Sequence, residues 1–353
     1  MQASSTSSKP HYLILDGLRG VAAVLVAVFH IVEAHYPVLV EHPIHHGYLA
    51  VDFFFLLSGF VVGYAYDDRW HQMGVWHFFK VRLVRLHPMV VFAVMLGTLG
   101  FIVDPFTNGM SHHSFAYLML SMVVALTLLP SPDVRGWGET HSLVGPCWSL
   151  LQEYIGNVIY AVWIRKASKR LLWMVVLTCA AALLAMAHYR NDVATGWSYQ
   201  SFGFAVVRMM FPFFAGLLLY RSKKMLKIPF AFGVSTLLLL AIFFMPVFKY
   251  NGLFEAACII IAFPLVVLIG ASGTVGKFTK RTCTFLGSIS YPIYIIHYPF
   301  MYLYIAWIAK DQPTAKEYLP IAIPLALFFI GFAYLVFKLY DEPVRIWLKK
   351  KLL

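Results

Sequence analysis

Charge is what this chain has least of. Of its 353 residues only 12% are charged, against about 25% in an average soluble domain. Acidic groups are the scarcer kind, 16 against 28 basic ones, while 60% of the residues are hydrophobic and mean hydropathy is +0.73. A soluble globular domain is excluded. Cysteine is also sparse: Cys147, Cys179, Cys258 and Cys283 stand far apart with no CxxC pair, which points to neither a disulfide framework nor a metal site. Internal repeats and linkers are missing, so residues 1–353 read as one domain, with low complexity confined to the Ser-rich start. The polar stretch MQASSTSSKPHY is too short ahead of the first apolar run for a cleavable signal. Residues 1–11 are therefore expected to be a cytoplasmic N-terminus and residues 339–353 a basic cytoplasmic tail.

What the chain does have is a series of apolar runs, each about as long as a helix needs to cross a hydrocarbon core roughly 30 Å thick. Ten spans are expected, at 12–33, 47–66, 86–103, 146–164, 171–188, 202–220, 229–248, 253–271, 285–306 and 319–338. The fold class is accordingly all-α, a polytopic transmembrane helix bundle. A net charge of +12 would suggest nucleic acid in a soluble protein, but here Lys and Arg gather at the ends of apolar runs, as membrane orientation requires. No nucleic-acid partner is expected; the lipid bilayer is. The clusters at Lys80 to Arg85, Arg165 to Arg170, Arg221 to Lys227, Lys277 to Arg281 and Lys349 to Lys351 share one side only if ten spans cross, which places both termini in the cytoplasm. A shorter run at 115–130 is then a partial or re-entrant segment, tolerable where it is buried in protein or lines a wet cavity.

Ionisable groups inside spans carry a cost of about 3 kcal/mol or more and mark functional sites. Arg19 and His30 lie eleven residues apart in the first span, hence on one helix face and about 16 Å apart along the axis. Arg19 alone could be a snorkelling side chain; His30 is too deep for that. Asp52, at similar depth on the antiparallel second span, is the candidate to orient His30. Glu153, Arg208 and His297 also sit within spans and need polar partners, and if they served no chemistry Glu153 and Arg208 would each make a structural ion pair, with the other or with a neighbour. Arg82 and Arg85 are by default orienting charges, yet their spacing puts them on one face, where they could clamp a phosphorylated ligand.

The motifs LDGLRG at 15–20, AVDFFFLLSGFVVG at 50–63, RLVRLHP at 82–88, CWSLLQE at 147–153, FLGSISYPIYIIHYP at 285–299 and DEP at 341–343 together resemble the membrane acyltransferase-3 family. The resemblance runs through nearly the whole chain. It implies an integral membrane O-acyltransferase that moves an acyl group, usually acetyl, from a coenzyme A thioester to a hydroxyl of a carbohydrate such as a cell-surface glycan, in the bacterial inner membrane. Arg19 and His30 match the family's Arg-x10-His pair, Phe54, Phe55, Leu57, Ser58 and Gly59 its FF-x-LSG segment, and Trp148, Ser149, Leu150 and Glu153 its WSL-x-x-E. Met89 and Asn157 depart from it, standing where aromatics are expected.

Acyl transfer from a thioester to a hydroxyl needs a base, donors for the oxyanion and positive charge for the donor's phosphates. His30 is the candidate base or acyl carrier, since histidine alone has an unperturbed pKa suited to proton transfer near neutrality. Arg19, Arg82 and Arg85 are the candidates for the acyl-CoA donor, with Arg19, Asp52 and Glu153 joining His30 in the chemistry, and Trp148, Ser149, Arg208 and His297 for the acceptor. No metal is expected. Because His30 lies nearer the outer face and coenzyme A is cytoplasmic, donor and acceptor are expected from opposite sides. A secondary transporter for a small anionic or sugar-like solute is the alternative; it would be favoured by duplicated halves, which are not visible in this sequence.

Overall fold

The computed structural model describes residues 11–107, 109–224 and 226–353, and the expectations for residues 1–10 lie outside them. The described residues form helices α1 (Leu13–Glu33), α2 (Ala50–Tyr66), α3 (Val75–Ile102), α4 (Gly109–His112), α5 (Phe115–Leu126), α6 (Cys147–Val162) and α7 (Lys169–Arg190). These are followed by α8 (Phe202–Ser222), α9 (Ala231–Phe243), α10 (Asn251–Ala257), α11 (Phe263–Ser272), α12 (Lys277–Asp311), α13 (Ala315–Val336) and α14 (Glu342–Leu352). Single π turns, Cys258–Ala262 and Phe337–Asp341, join α10 to α11 and α13 to α14. Among the described residues no strand forms, only one antiparallel bridge between Glu139 and Ser198.

Eight helices among the described residues are long and apolar enough to cross a membrane: 13–33, 47–69, 75–102, 169–190, 202–222, 251–272, 277–311 and 315–352. The two other expected spans are helices α6 and α9, of 16 and 13 residues, only about 24 and 20 Å long at 1.5 Å per residue. The 115–130 run is a 12-residue helix that stops at Leu126. Most of the expected tail is helical, α14 continuing α13 through the π turn.

Local chemistry sets the helix ends. The Ser114 and Ser168 hydroxyls each accept a hydrogen bond from a first-turn backbone N–H, and Thr314 with Glu317 forms a capping box. Asn191, Lys223 and Gln312 close α7, α8 and α12 in the left-handed conformation. Packing between apolar helices relies on small residues that let backbones approach. The two most extensive pairings are α1 with α12 and α2 with α8. A Cβ on Gly20 would lie 2.4 Å from the Leu286 carbonyl oxygen, and one on Gly59 only 1.8 Å from that of Phe213. These two pairings decide which polar groups meet.

Candidate active site

On α1, Arg19 and His30 both face α12. The Arg19 Nε donates to Ser290 Oγ at 2.8 Å and one Nη to the Gly287 carbonyl at 3.3 Å, while Asp16 lies 3.0 Å from the same nitrogen. The other Nη makes no hydrogen bond among the described residues. Eleven residues further, the His30 ring stacks on His297 with centroids 5.4 Å apart and meets Tyr298 edge-on at 5.0 Å. Its Nδ1 lies 2.7 Å from Glu33 Oε2. With Nδ1–H donating to that carboxylate, Nε2 is the lone-pair nitrogen, which is the state a general base needs.

Two cavities open on either side of this region. One, of about 200 Å³, is lined by four arginines, Arg19, Arg82, Arg85 and Arg345, and by Ser58, Ser149, Glu153 and Asp341. The other, of about 520 Å³, is lined by His30, Glu33, Glu139 and His141 and by Trp137, Trp148 and Trp197. Val51 and Tyr294 line both and so form the partition. The Tyr294 hydroxyl and Ser149 Oγ are hydrogen-bonded at 2.7 Å across it.

In the arginine cavity three of the four guanidiniums have carboxylate partners. Glu153 takes hydrogen bonds from Arg82 and, at 2.7 Å, from Ser58; Asp341 lies 3.0 Å from Arg345, and Asp16 pairs with Arg19. Arg85 makes no hydrogen bond or ion pair among the described residues. The surplus positive charge of this cavity therefore centres on Arg85, and the site can accept an anion. The π turn carrying Phe337 and Asp341 into its wall is of a kind found often at functional sites.

Around the histidine cavity, burial pushes the Glu139 carboxyl up to about 7, against the opposing pull of the Tyr302 hydroxyl, which donates at 2.5 Å, and of the Arg135 guanidinium. Burial pushes His141 down to about 4, so it is neutral, with Nε2 2.9 Å from the Leu128 carbonyl.

Two expected assignments, those of Asp52 and His297, are corrected by this geometry. Asp52 does not orient His30: both its oxygens bind Arg208, Nε to Oδ1 at 2.9 Å and Nη2 to Oδ2 at 2.7 Å. The cause is the tight α2 and α8 contact, which brings two fully buried charges face to face, as buried charges require. Arg208 lines the histidine cavity, but its other bonds go to the Thr195 and Tyr48 carbonyls, so all three of its nitrogens are engaged within the protein. Of the two ion pairings expected for Arg208 and Glu153, the one with a neighbour is what forms: Arg208 with Asp52 and Glu153 with Arg82. His297 lines neither cavity; it is buried behind His30, its Nδ1 2.9 Å from the Ile293 carbonyl. Trp148 and Ser149, adjacent in sequence, face different cavities.

Glu33 and Glu139 are among the cavity-lining residues that were not expected at the site. Glu33 was legible, since its i,i+3 spacing from His30 puts both side chains on one face of α1. Glu139 lies in an irregular loop whose course no periodicity reports. Among the described residues no group of three or more His, Cys, Asp or Glu could hold a metal ion.

A family model described as an acyltransferase domain matches residues 12–338. Similar proteins include "Protein 2 in picA locus" of Rhizobium radiobacter, 31% identical over 195 residues, 52% of this chain and 98% of that protein. Acyltransferase MdmB of Streptomyces mycarofaciens is 28% identical over 183 residues, 49% of this chain and 45% of that protein. Peptidoglycan O-acetyltransferase OatA of Listeria monocytogenes is 22% identical over 373 residues, 98% of this chain but 57% of that protein. The chain thus spans about half the length of the two relatives with a named activity. No solved structure matches it.

Proposed function

This chain belongs to the acyltransferase domain family, and from that premise we propose that it carries an acyl group, acetyl in the first instance, from a coenzyme A thioester to a carbohydrate hydroxyl through the partition between its two cavities. Family membership makes it a transferase rather than the solute transporter its buried charges would also suit. The observation that carries the rest is the pairing of an arginine-lined cavity with a histidine–carboxylate cavity, with Val51 and Tyr294 common to both.

The arginine cavity lies toward the end of α3 that bears Lys80, Arg82 and Arg85, the cytoplasmic end by the bias of basic residues. Phosphates of the donor bind there to Arg85 and to the Arg19 nitrogen that makes no hydrogen bond among the described residues, by charge-assisted hydrogen bonds. The thioester arm runs up to the partition. From the opposite side the acceptor hydroxyl approaches His30 Nε2, which takes its proton as the oxygen attacks the thioester carbonyl carbon. The carbon–oxygen bond forms, the carbon–sulfur bond breaks, and the thiolate leaves with the proton returned by His30. Glu33 holds the ring through Nδ1–H and stabilises the imidazolium formed midway, as the carboxylate of a catalytic triad does. His297, stacked on the ring's face, keeps it from rotating.

The test is release of free thiol from acetyl-coenzyme A by purified protein. His30-dependent release that a carbohydrate accelerates supports the reading; release independent of His30, or none with any acyl-coenzyme A, overturns it.

A further inference from the structure

Residues 127–146, between α5 and α6, form no helix, yet this stretch is fastened along its length. Asp133 accepts backbone hydrogen bonds from Arg135, Gly136 and Gly138, at 2.9, 3.1 and 2.6 Å. Gly136 and Gly138 both sit at φ +73°, a left-handed conformation that L side chains rarely adopt. Between them stands Trp137. The segment then pairs with the one before α8: Tyr199 N–H donates to the Gly138 carbonyl at 2.9 Å, and Thr140 N–H to the Trp197 carbonyl at 3.1 Å. Trp197 follows Gly196, at φ +102°. Two tryptophans are thus fixed on facing arms of one clip, each beside glycine whose backbone no other residue would hold as easily.

Indoles near a membrane surface are usually interfacial anchors. These two differ in what they line. Trp137 and Trp197, 40% and 44% exposed, border the histidine cavity together with His30, with Trp148 deeper in the same wall. None of the three indole N–H groups is hydrogen-bonded among the described residues. Between the arms Glu139 turns its carboxylate to the cavity: Oε2 accepts from Tyr302, and Oε1 takes no hydrogen bond among the described residues. Flat apolar faces combined with a carboxylate and free N–H donors match a pyranose ring, whose C–H faces are apolar and whose rim carries hydroxyls.

We infer that this clip is a pyranose-binding platform, in which Trp137 and Trp197 stack on the sugar's faces, Glu139 accepts hydrogen bonds from its hydroxyls, and one further hydroxyl is thereby presented to His30. The inference rests on the proposed reading in taking a carbohydrate as acceptor, and assigns the residues that select it. Since the clip is braced before any ligand arrives, little ordering accompanies binding, and loss of one indole should weaken binding without disturbing the donor side.

The experiment is calorimetric titration of the purified full-length protein with three probes, cellotetraose, maltotetraose and tetra-N-acetylchitotetraose, each to about 10 mM. At least one should bind, with affinity falling about tenfold or more in Trp137→Ala and Trp197→Ala, less in the Phe variants, and severalfold in Glu139→Gln. In turnover the Ala variants should raise the apparent KM for that sugar by the same factor and move the donor KM less than twofold. Binding of none of the probes, or equal binding by wild type and both Ala variants, overturns the platform. Failure of acetyl-coenzyme A cleavage would instead strike the proposed chemistry, and the titration would still decide the sugar site.

Discussion

Glu33→Gln is the most informative single change on the reaction side, because it alters one charge at one bond. The Glu33 carboxylate lies 2.7 Å from His30 Nδ1. A glutamine oxygen can still accept that N–H, so the tautomer and ring orientation persist while the negative charge facing the developing imidazolium is lost. Hydrogen bonds to charged groups contribute about 1.5 to 3 kcal/mol. The Glu33 side chain is 37% exposed, so solvent screens part of this and the lower end applies. The expected loss is about 1.5 kcal/mol, or roughly tenfold in kcat. Glu33→Ala, which also frees the ring to rotate, should lose more. The assay is acceptor-dependent thiol release, resolved into kcat and KM for each substrate, and the signature is a fall in kcat with donor KM unchanged. A Gln variant within twofold of wild-type kcat would refute the dyad, and so would a loss confined to donor KM, since Glu33 does not line the arginine cavity.

His30→Ala should lower transfer by a hundredfold or more, the usual contribution of a general base, in a protein that still inserts and elutes as wild type; intact turnover there removes His30 from the mechanism. Arg85→Lys should raise donor KM about tenfold while Arg82→Ala mainly destabilises, because the first loses a planar fork facing an anion and the second strands Glu153, typically worth about 3 to 5 kcal/mol when a pair is buried. Donor kinetics and thermal unfolding separate the two, and a stable Arg82→Ala with raised donor KM would reverse the assignment. Glu139 titrates near 7 among Tyr302, Arg135, Asp133 and Glu33, against an ordinary value of 4.5. The folded chain holds its proton where the unfolded chain does not, so this group's contribution to stability falls as pH rises from about 4.5 to about 7, by up to about 1.4 kcal/mol per unit. Glu139→Gln should flatten that slope in melting curves, and should abolish any fall in sugar KM as pH rises through 7; an unchanged profile would show that Glu139 is not the titrating group.

Much of the helical frame was legible because an apolar run about twenty residues long reports a lipid-spanning helix with little interference. Lengths failed at α6 and α9, where flanking apolar residues such as Met245, Val247 and Phe248 belong to irregular segments rather than to the helix. The common face of Arg19 and His30 followed from helical spacing alone, and both do meet α12. Partners were harder. Whether Asp52 turns to His30 or to Arg208 depends on which helix lies against α2, and that is set by Gly59 and Gly216, each meeting the opposing backbone, a contact between residues more than 150 positions apart. The histidine cavity's far wall was illegible for a similar reason. Trp137, Glu139 and Trp197 reach it through turns built on glycines and one aspartate, and such turns carry no period.

Arg85 is the strongest argument for the proposed donor site in the arginine cavity, as against a knot of structural pairs. A guanidinium at membrane depth costs about 3 kcal/mol by insertion scales, and this protein offsets that cost repeatedly: Arg208 with Asp52, Arg82 with Glu153, Arg345 with Asp341. Had anchoring been the only demand on α3, Arg85 could have pointed to the lipid interface, where a long side chain reaches water. It lines the cavity instead, beside a carboxylate, Asp341, that Arg345 already engages. A cation without an ion pair there repels its neighbours Arg19 and Arg82, so on the proposed reading a donor phosphate in the cavity would relieve repulsion as well as form new bonds. Donor binding and packing of α1, α3 and α14 around the cavity should therefore be coupled. Coenzyme A alone, without an acyl group, should raise the thermal unfolding temperature of wild type measurably and that of Arg85→Gln much less. Equal stabilisation of both would place the donor's phosphates elsewhere and leave Arg85 as an orienting charge.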